Sequence, residues 1–591
     1  MTDDLEKKTH NAIIHYTIHL VENCYKLTYK ETVKMKWRPI ISVLICLVAL
    51  GGISSSLLST SQIGSSADWQ KRPLRPDTGV LNVVAAVNGE FIDSWKNADL
   101  EAAPPASVLA VMRRASLALH GTVPSLEEIR EFGPSEQMVD TLAAENDLLD
   151  RYIQYLLADR RYADYVSERF ARVFVGVDAG PFLVYRRRRF QLWLSDQLFA
   201  NRRYDSLCRE LISGTGVWVS DPAVNFVTAT ITDDSQGRPD LPKLAGRTSR
   251  AFLGMRLDCL QCHDDALGTI GLSFEGMSRE ALQTDFHQFA AFYSQASISL
   301  GGVQDDYRHY SYTYLGDEKD KIITPKVPFQ SDLTLPAGSR RGQLATWITA
   351  RQNRAFSRTA VNRVWAIIFG KPLVEPVDDI PLSGPFPPGL ELLATDFSDH
   401  EYDLKRLIQI ITRLDVFRIS SRAAFEVTSR HEQAWTVFPL VRLRPEQVAG
   451  GIGQTARVRT INADVSYSVR QQQQQDILSF VKRYGDTGED EFEDRGGTIT
   501  QRLLMMNGNF VKDRTRSSDG SNAAARIAAI AEDDEDAVQI TYLCVLTRLP
   551  SKTERDHFIL ALHGVSAEQR ERVLEDLFWT LINSTEFSWN H

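Results

Sequence analysis

Cys259-Leu260-Gln261-Cys262-His263 is the stretch of this sequence whose residue types and spacing prescribe a chemistry. Two thiols three residues apart lie on one side of a helical turn, so each can form a thioether to one vinyl group of the same porphyrin. The histidine that follows can then bring its imidazole to the iron. Read this way, Cys259 and Cys262 hold haem c and His263 is the proximal ligand. Two residues are candidates for the sixth position: Met277, after Gly276 in an expected turn, and His287, beside the aromatic face of Phe286, Phe289 and Tyr293. A methionine there raises the reduction potential, whereas an open position suits ligand binding or peroxide chemistry. The same residues allow two other readings. Zinc accepts Cys259, Cys262 and His263 with a fourth donor such as His287 or Asp265. In an oxidising compartment Cys259 and Cys262 can instead close a short-loop disulfide. Asp264 and Asp265 place two carboxylates beside His263, unlike the apolar lining usual around haem.

Other chemistry-bearing groups are sparser. Glu375, Asp378 and Asp379 offer oxygen ligands for Ca²⁺ or an acid–base pair, against the plainer reading of solvated loop carboxylates. The run Arg186–Arg189 can meet haem propionates or an anionic polymer, but at a helix start it reads first as a solvated face. Cys208 and Cys544 are far apart in sequence and can bridge two domains. A net charge of −9 argues against nonspecific nucleic-acid binding, which needs a basic surface. Six cysteines in 591 residues are too few for a disulfide scaffold.

The N-terminal part supplies a compartment. Lys34, Lys36 and Arg38 precede an apolar run from Ile40 to Ile53, followed by Ser54, Ser55 and Ser56. Basic flank, short apolar stretch and small polar residues are the order of a secretory signal. Residues 35–58 are therefore expected to be a signal peptide or, through 39–58, a membrane anchor. Residues 1–34 form an extension before Met35, itself a plausible start. Haem c is attached outside the cytoplasmic membrane, so motif and signal agree on an exported, periplasmic or cell-surface protein.

The elements that must position these groups are mostly helical. Residues 59–104, rich in Ser, Pro, Gly and Asp, read as a linker with one strand at Val80–Val84. A first helical domain is expected over 105–300. Its helices show at Leu148, Leu149, Tyr152, Ile153, Leu156 and Leu157, and Ser125 caps another with acidic residues in its first turn. Residues 215–246 look like a surface excursion. Tyr310, Tyr312 and Tyr314 alternate and Ile322-Ile323-Thr324 is β-branched, so 301–340 is expected as a β/turn junction. Helical spacing returns over 341–591, the second helical domain, notably at Ala360, Val361, Val364, Trp365, Ile367 and Ile368 before Gly370. The expected fold is mainly α: two helical domains joined by a short β-containing segment.

Several stretches occur together in a recognisable order. They include Leu156-Leu157-Ala158-Asp159-Arg160-Arg161-Tyr162, Ala251-Phe252-Leu253-Gly254, the cysteine motif, and Asp285-Phe286-His287-Gln288-Phe289-Ala290-Ala291-Phe292. Further on come Arg358-Thr359-Ala360-Val361-Asn362-Arg363-Val364-Trp365, Phe369 to Asp379, Glu391-Leu392-Leu393, Met506-Asn507-Gly508 and Leu581 to Phe587. In these the chain resembles exported two-domain proteins of planctomycete type, a pair of domains of unknown function often found with a cytochrome c module. The resemblance spans roughly residues 105–590 and implies an exported, mainly helical protein without supplying a reaction. Two departures stand out. The family's Cys-His-x-His-Pro is here Cys262-His263-Asp264-Asp265-Ala266, and a family histidine before Glu391 is Gly389.

The sequence thus leads to an exported c-type haem protein with an electron-transfer or redox role and an extracytoplasmic redox partner. The competing class is a haem-free exported protein that binds or processes an extracellular polymer, its cysteine pair structural or zinc-binding.

Overall fold

The computed structural model describes residues 78–591 except 135–141, 179–183, 233–237, 266–267, 269, 273–278, 300, 315–316, 334–337, 462–466, 486–491, 493–496 and 517–521. The expected signal or anchor at 35–58, and Met277, lie outside the described residues. Among the described residues no helix is long and apolar enough to cross a membrane.

The fold is mainly α, as expected, with three small two-stranded antiparallel sheets among the described residues. One of these, Tyr310–Tyr312 with Lys321–Ile323, lies in the stretch 301–340 where the alternating tyrosines are found, and another, Ala296–Ser299 with Gly302–Asp305, straddles its start. The third joins Val441–Arg442 to Trp589–Asn590, a pairing between distant parts of the chain. Helix starts follow the expected capping logic. The Ser125 hydroxyl accepts from the Glu128 amide, and the Glu128 carboxylate accepts from the Ser125 amide.

Ser65–His591 is one compact unit with two apolar clusters. The larger takes residues from Val80 to Phe438, and the smaller joins Leu117, Val123 and Leu126 to residues from Leu443 to Phe587. The cores therefore do not divide at residues 301–340. Helix Val108–His120 serves both clusters, and its two buried arginines tie them together. Arg113 donates to the carbonyls of Val545 and Phe587, and Arg114 to those of Phe417, Ile419 and His591. Backbone oxygens that would be costly to bury unpaired are satisfied in this way.

Two expectations are corrected. The stretch read as a linker with a strand holds the helix Thr78–Ala98. Val80, Val87, Phe91 and Trp95 are its buried residues, and this longer helical spacing outweighs the short β-branched run because Phe91 stacks on Trp365. Residues 215–246 are not a surface excursion: Ala223, Val224, Phe226 and Val227 are core residues. Their turn is held by Asn225, whose amide donates to the carbonyls of Trp218 and Pro222.

Helix Arg354–Phe369 runs through the larger core and is buried on nearly every side, ending at Gly370 in the left-handed conformation. On its flank the chain from Leu241 makes a helix to Thr248, a wider π-turn over Ser249–Leu253, and a stop at Gly254. Gly254 has φ 59°, and a Cβ there would lie 2.7 Å from the Thr359 hydroxyl on the long helix. Only glycine allows both the backbone and the approach. The cysteine motif begins directly after this contact.

Candidate functional site

Cys259 sits in a 3₁₀ turn over Leu257–Gln261. Residues three apart eclipse in such a turn. Leu257 and Leu260 are fully buried and anchor it, while Cys259 and Cys262 are both exposed and free. The turn is packed against helix Leu241–Thr248 through Gly246, where a Cβ would come within 2.8 Å of the Asp258 Cβ.

One carbonyl fixes the loop. The Gln261 oxygen accepts from His287 Nε2 at 3.1 Å, from the Gln283 amide at 3.0 Å and from the Tyr312 hydroxyl at 3.4 Å. The Gln283 backbone N–H in turn donates to the Asp264 carboxylate at 2.7 Å. A carbonyl can only accept, so His287 carries its proton on Nε2 and its Nδ1 accepts from the Tyr310 hydroxyl at 2.8 Å. The ring is fully buried and stacked on Tyr312 with centroids 3.5 Å apart. Burial lowers its pKa, which keeps it neutral. Both nitrogens of His287 are thus engaged, and in this arrangement it braces the motif and offers no lone pair to a metal. Asp265 is also buried, its carboxylate accepting from the Ile270 amide. Replacing His287 by Phe keeps the stacking but removes both hydrogen bonds. Urea unfolding should show a loss of about 1–3 kcal/mol, and unchanged stability would mean that the brace carries no load.

His263 has the opposite tautomer. It is exposed, and its Nδ1 lies 2.8 Å from the Asp264 carbonyl oxygen, so Nδ1 is the donor and Nε2 holds the free lone pair. The structure therefore leaves Cys259, in the turn, and Cys262 and His263, directly after it, exposed, with His287 buried and bonded to the intervening Gln261 carbonyl. Among the described residues no group of three or more His, Cys, Asp or Glu is placed to hold a metal ion. Partial burial, then the Asp258 carboxylate, push the Cys259 thiol up, which leaves little thiolate at neutral pH.

Behind the turn lies an ionic clamp that sequence reading missed. Arg250 donates to both oxygens of Asp258, the shortest contact 2.8 Å, and to Asp378 at 2.9 Å; Arg256 donates to Asp378 at 2.8 Å. Burial alone would raise the Asp378 pKa, but the bonded Arg256 and the charges of Arg250 and Arg363 hold it below the usual range. Asp378 is therefore a clamp between the motif and the loop after the long helix. Asn362 pins that loop, its side chain exchanging hydrogen bonds with the backbone of Val374. Glu375 is exposed and lies 3.5 Å from Lys371. The arginine run is partly spent internally, since Arg187 pairs with Glu168 at 2.8 Å. Cys208 and Cys544 are buried and free, with no bridge between them.

Beside the clamp opens a cleft of about 1300 Å³. Its walls come from 240–261, including Gln261 of the motif, from 363–378, from 432–447, and from Tyr484, Gln501, Trp589 and Asn590. Arg442 and Arg444 line it as well. Their partners are up to 279 residues away, so no periodicity in the sequence marks them.

Residues 87–297 match the family described as PSCyt2, protein of unknown function (DUF1549), and residues 340–489 match PSD1, protein of unknown function (DUF1553). The chain carries these two domains in tandem, the cysteine motif lying within the first matched region. No curated protein and no solved structure matches the chain. The cleft is walled mainly by residues of both matched regions.

Proposed function

We propose that this is an exported c-type haem protein with a redox role outside the cytoplasm, its haem held by Cys259 and Cys262 and ligated by His263. The observation that carries the reading is the turn itself. Both thiols are free and exposed, and the exposed His263 is in the tautomer whose Nε2 lone pair has no partner among the described residues. A ring nitrogen that donates its proton to a carbonyl is the usual support of a metal-bound histidine, so this donor set fits the group. Bound haem would supply a one-electron couple. The chain's part would be to present the two sulfurs and the imidazole from a short exposed segment anchored by Leu257 and Leu260 and braced through Gln261. Export rests on the basic and apolar segment at 35–58, and an extracytoplasmic electron partner follows from the compartment.

The test is an absorption spectrum of protein made in a host that attaches haem c. A Soret band that resists acid–acetone extraction is expected, and Cys259→Ala with Cys262→Ala should abolish it. No band in the wild type, or a band that survives the double substitution, overturns the assignment. His287→Phe should leave the iron spectrum unchanged; a changed ligand field would make His287 a ligand instead of a brace.

A further inference from the structure

We infer that the cleft beside the Arg250–Asp378 clamp binds an acidic saccharide chain, with Arg442 and Arg444 as the residues that contact its anionic groups. Gln261 of the motif lines this cleft but Cys259 and Cys262 do not, and the inference does not depend on haem.

The first observation is charge. The cleft is lined by eight Lys and Arg side chains against five Asp and Glu, a positive balance in a chain whose net charge is −9. Much of that charge is spent: Arg250 and Arg256 hold Asp258 and Asp378, and Lys371 lies near Glu375. Arg442 and Arg444 are different. Arg444 is only 6% exposed, yet its guanidinium donates to neutral oxygens alone, the Tyr165 hydroxyl at 3.2 Å and the Ile367 carbonyl at 3.3 Å. Arg442 donates to the Tyr484 hydroxyl at 3.1 Å. Among the described residues no carboxylate pairs with either. A buried guanidinium without a counter-ion is costly, and an anionic ligand supplies the missing charge. Gly497 leaves the room Arg442 needs, since a Cβ there would lie 2.7 Å from the guanidinium.

Size and surface chemistry narrow the class. About 1300 Å³ exceeds the space a single small ligand fills, so several linked rings fit. Trp589, half-buried, lines the cleft and brings an aromatic ring to it, while the Tyr484 and Phe492 rings lie under the guanidinium groups of Arg442 and Arg444 and hold them in place. The exposed carboxylates of Glu375 and Glu432 also line it. They would repel a backbone charged at every unit, as in a nucleic acid, but accept hydrogen bonds from sugar hydroxyls. A hydroxyl-rich chain with widely spaced carboxylate or sulfate groups meets all of these conditions.

Calorimetry on the purified chain with three oligosaccharides of equal length, one uronate, one sulfated and one neutral, tests this. At least one acidic oligosaccharide should bind, with the neutral one at least about tenfold weaker, and raised salt should weaken the binding. Which acidic chain binds identifies the anion as carboxylate or sulfate. Arg442→Gln should weaken binding by about tenfold or more, the loss of a charge-assisted hydrogen bond. Arg444→Gln should do the same if it folds; Arg442, which is less buried, carries the test if it does not. Arg572→Gln, exposed and outside the cleft, should leave binding unchanged. Binding of none of the three, equal binding of the neutral chain, tighter binding of single-stranded DNA, or indifference to Arg442→Gln would each overturn the inference.

Discussion

Glu446→Gln should lower the unfolding free energy by about 3–5 kcal/mol, the usual result of breaking a buried ion pair from one side. Glu446 stands in the first turn of helix Pro445–Thr455 and accepts from Arg172 at 2.6 Å and Arg169 at 2.9 Å. Both arginines lie on helix Arg160–Val175, and their side chains are 4% and 0% exposed. The glutamine would withdraw one negative charge from both buried cations, Arg172 keeping its pair with Glu168 at 3.3 Å. Burial would raise the carboxyl's pKa, but the charges and hydrogen bonds of Arg169 and Arg172 prevail and hold it at about 2. The folded value lies below the unfolded one near 4.5, so the carboxylate's contribution is complete above about pH 5 and is lost as pH falls through about 2. That contribution is on the order of 3 kcal/mol. Denaturant unfolding between pH 7 and pH 2 should therefore show the wild type losing this increment while the variant starts without it. Parallel curves for the two proteins would show that the triad contributes no pH-dependent stability.

Gly254→Val should cost about 3 kcal/mol or more, since it combines a strained backbone with overpacking. At φ 59° a β-branched residue is unfavourable, and its Cβ would press on the Thr359 hydroxyl at 2.7 Å and on Ile380 at 3.1 Å. Relief requires the π-turn to move off the long helix. That movement would also disturb the Ile380 N–H to Gly254 carbonyl bond of 2.7 Å and the clamp of Asp378. The variant should melt earlier, and its Cys259 and Cys262 should react faster with a thiol reagent than in the wild type. A variant that melts with the wild type would mean the two segments are not in tight contact. Gly254→Ala, with less bulk, should fall between them.

The contrast between these two sites shows what can be read along a chain. Gly254 sits in a short local pattern next to the cysteine motif, and a glycine ending an apolar helical run has an obvious conformational meaning. Glu446 has no such mark. It is one acidic residue at a helix start, and its partners lie 274 and 277 residues earlier. Likewise, Asp378 looked in sequence like one of three loop carboxylates available to a cation. Two arginines from 122 and 128 residues upstream claim it instead. His287 was legible as a neighbour of the motif but not in its role. Whether an imidazole ligates or braces depends on what faces its two nitrogens, and those partners, Gln261 and Tyr310, come from different segments.

By itself the sequence determined the mainly helical character, the cap at Ser125, the β-rich stretch around Tyr310 and the grouping of Cys259, Cys262 and His263. Each of these is a consequence of spacing within a few turns of chain, where backbone geometry fixes which side chains share a face. Only the tertiary structure decided that helix Thr78–Ala98 joins the core, that both sequence regions share their apolar clusters, and that Arg442 and Arg444 line a cleft. These depend on which distant surfaces bury one another, and burial changes what a charge or an imidazole does without leaving a period in the sequence.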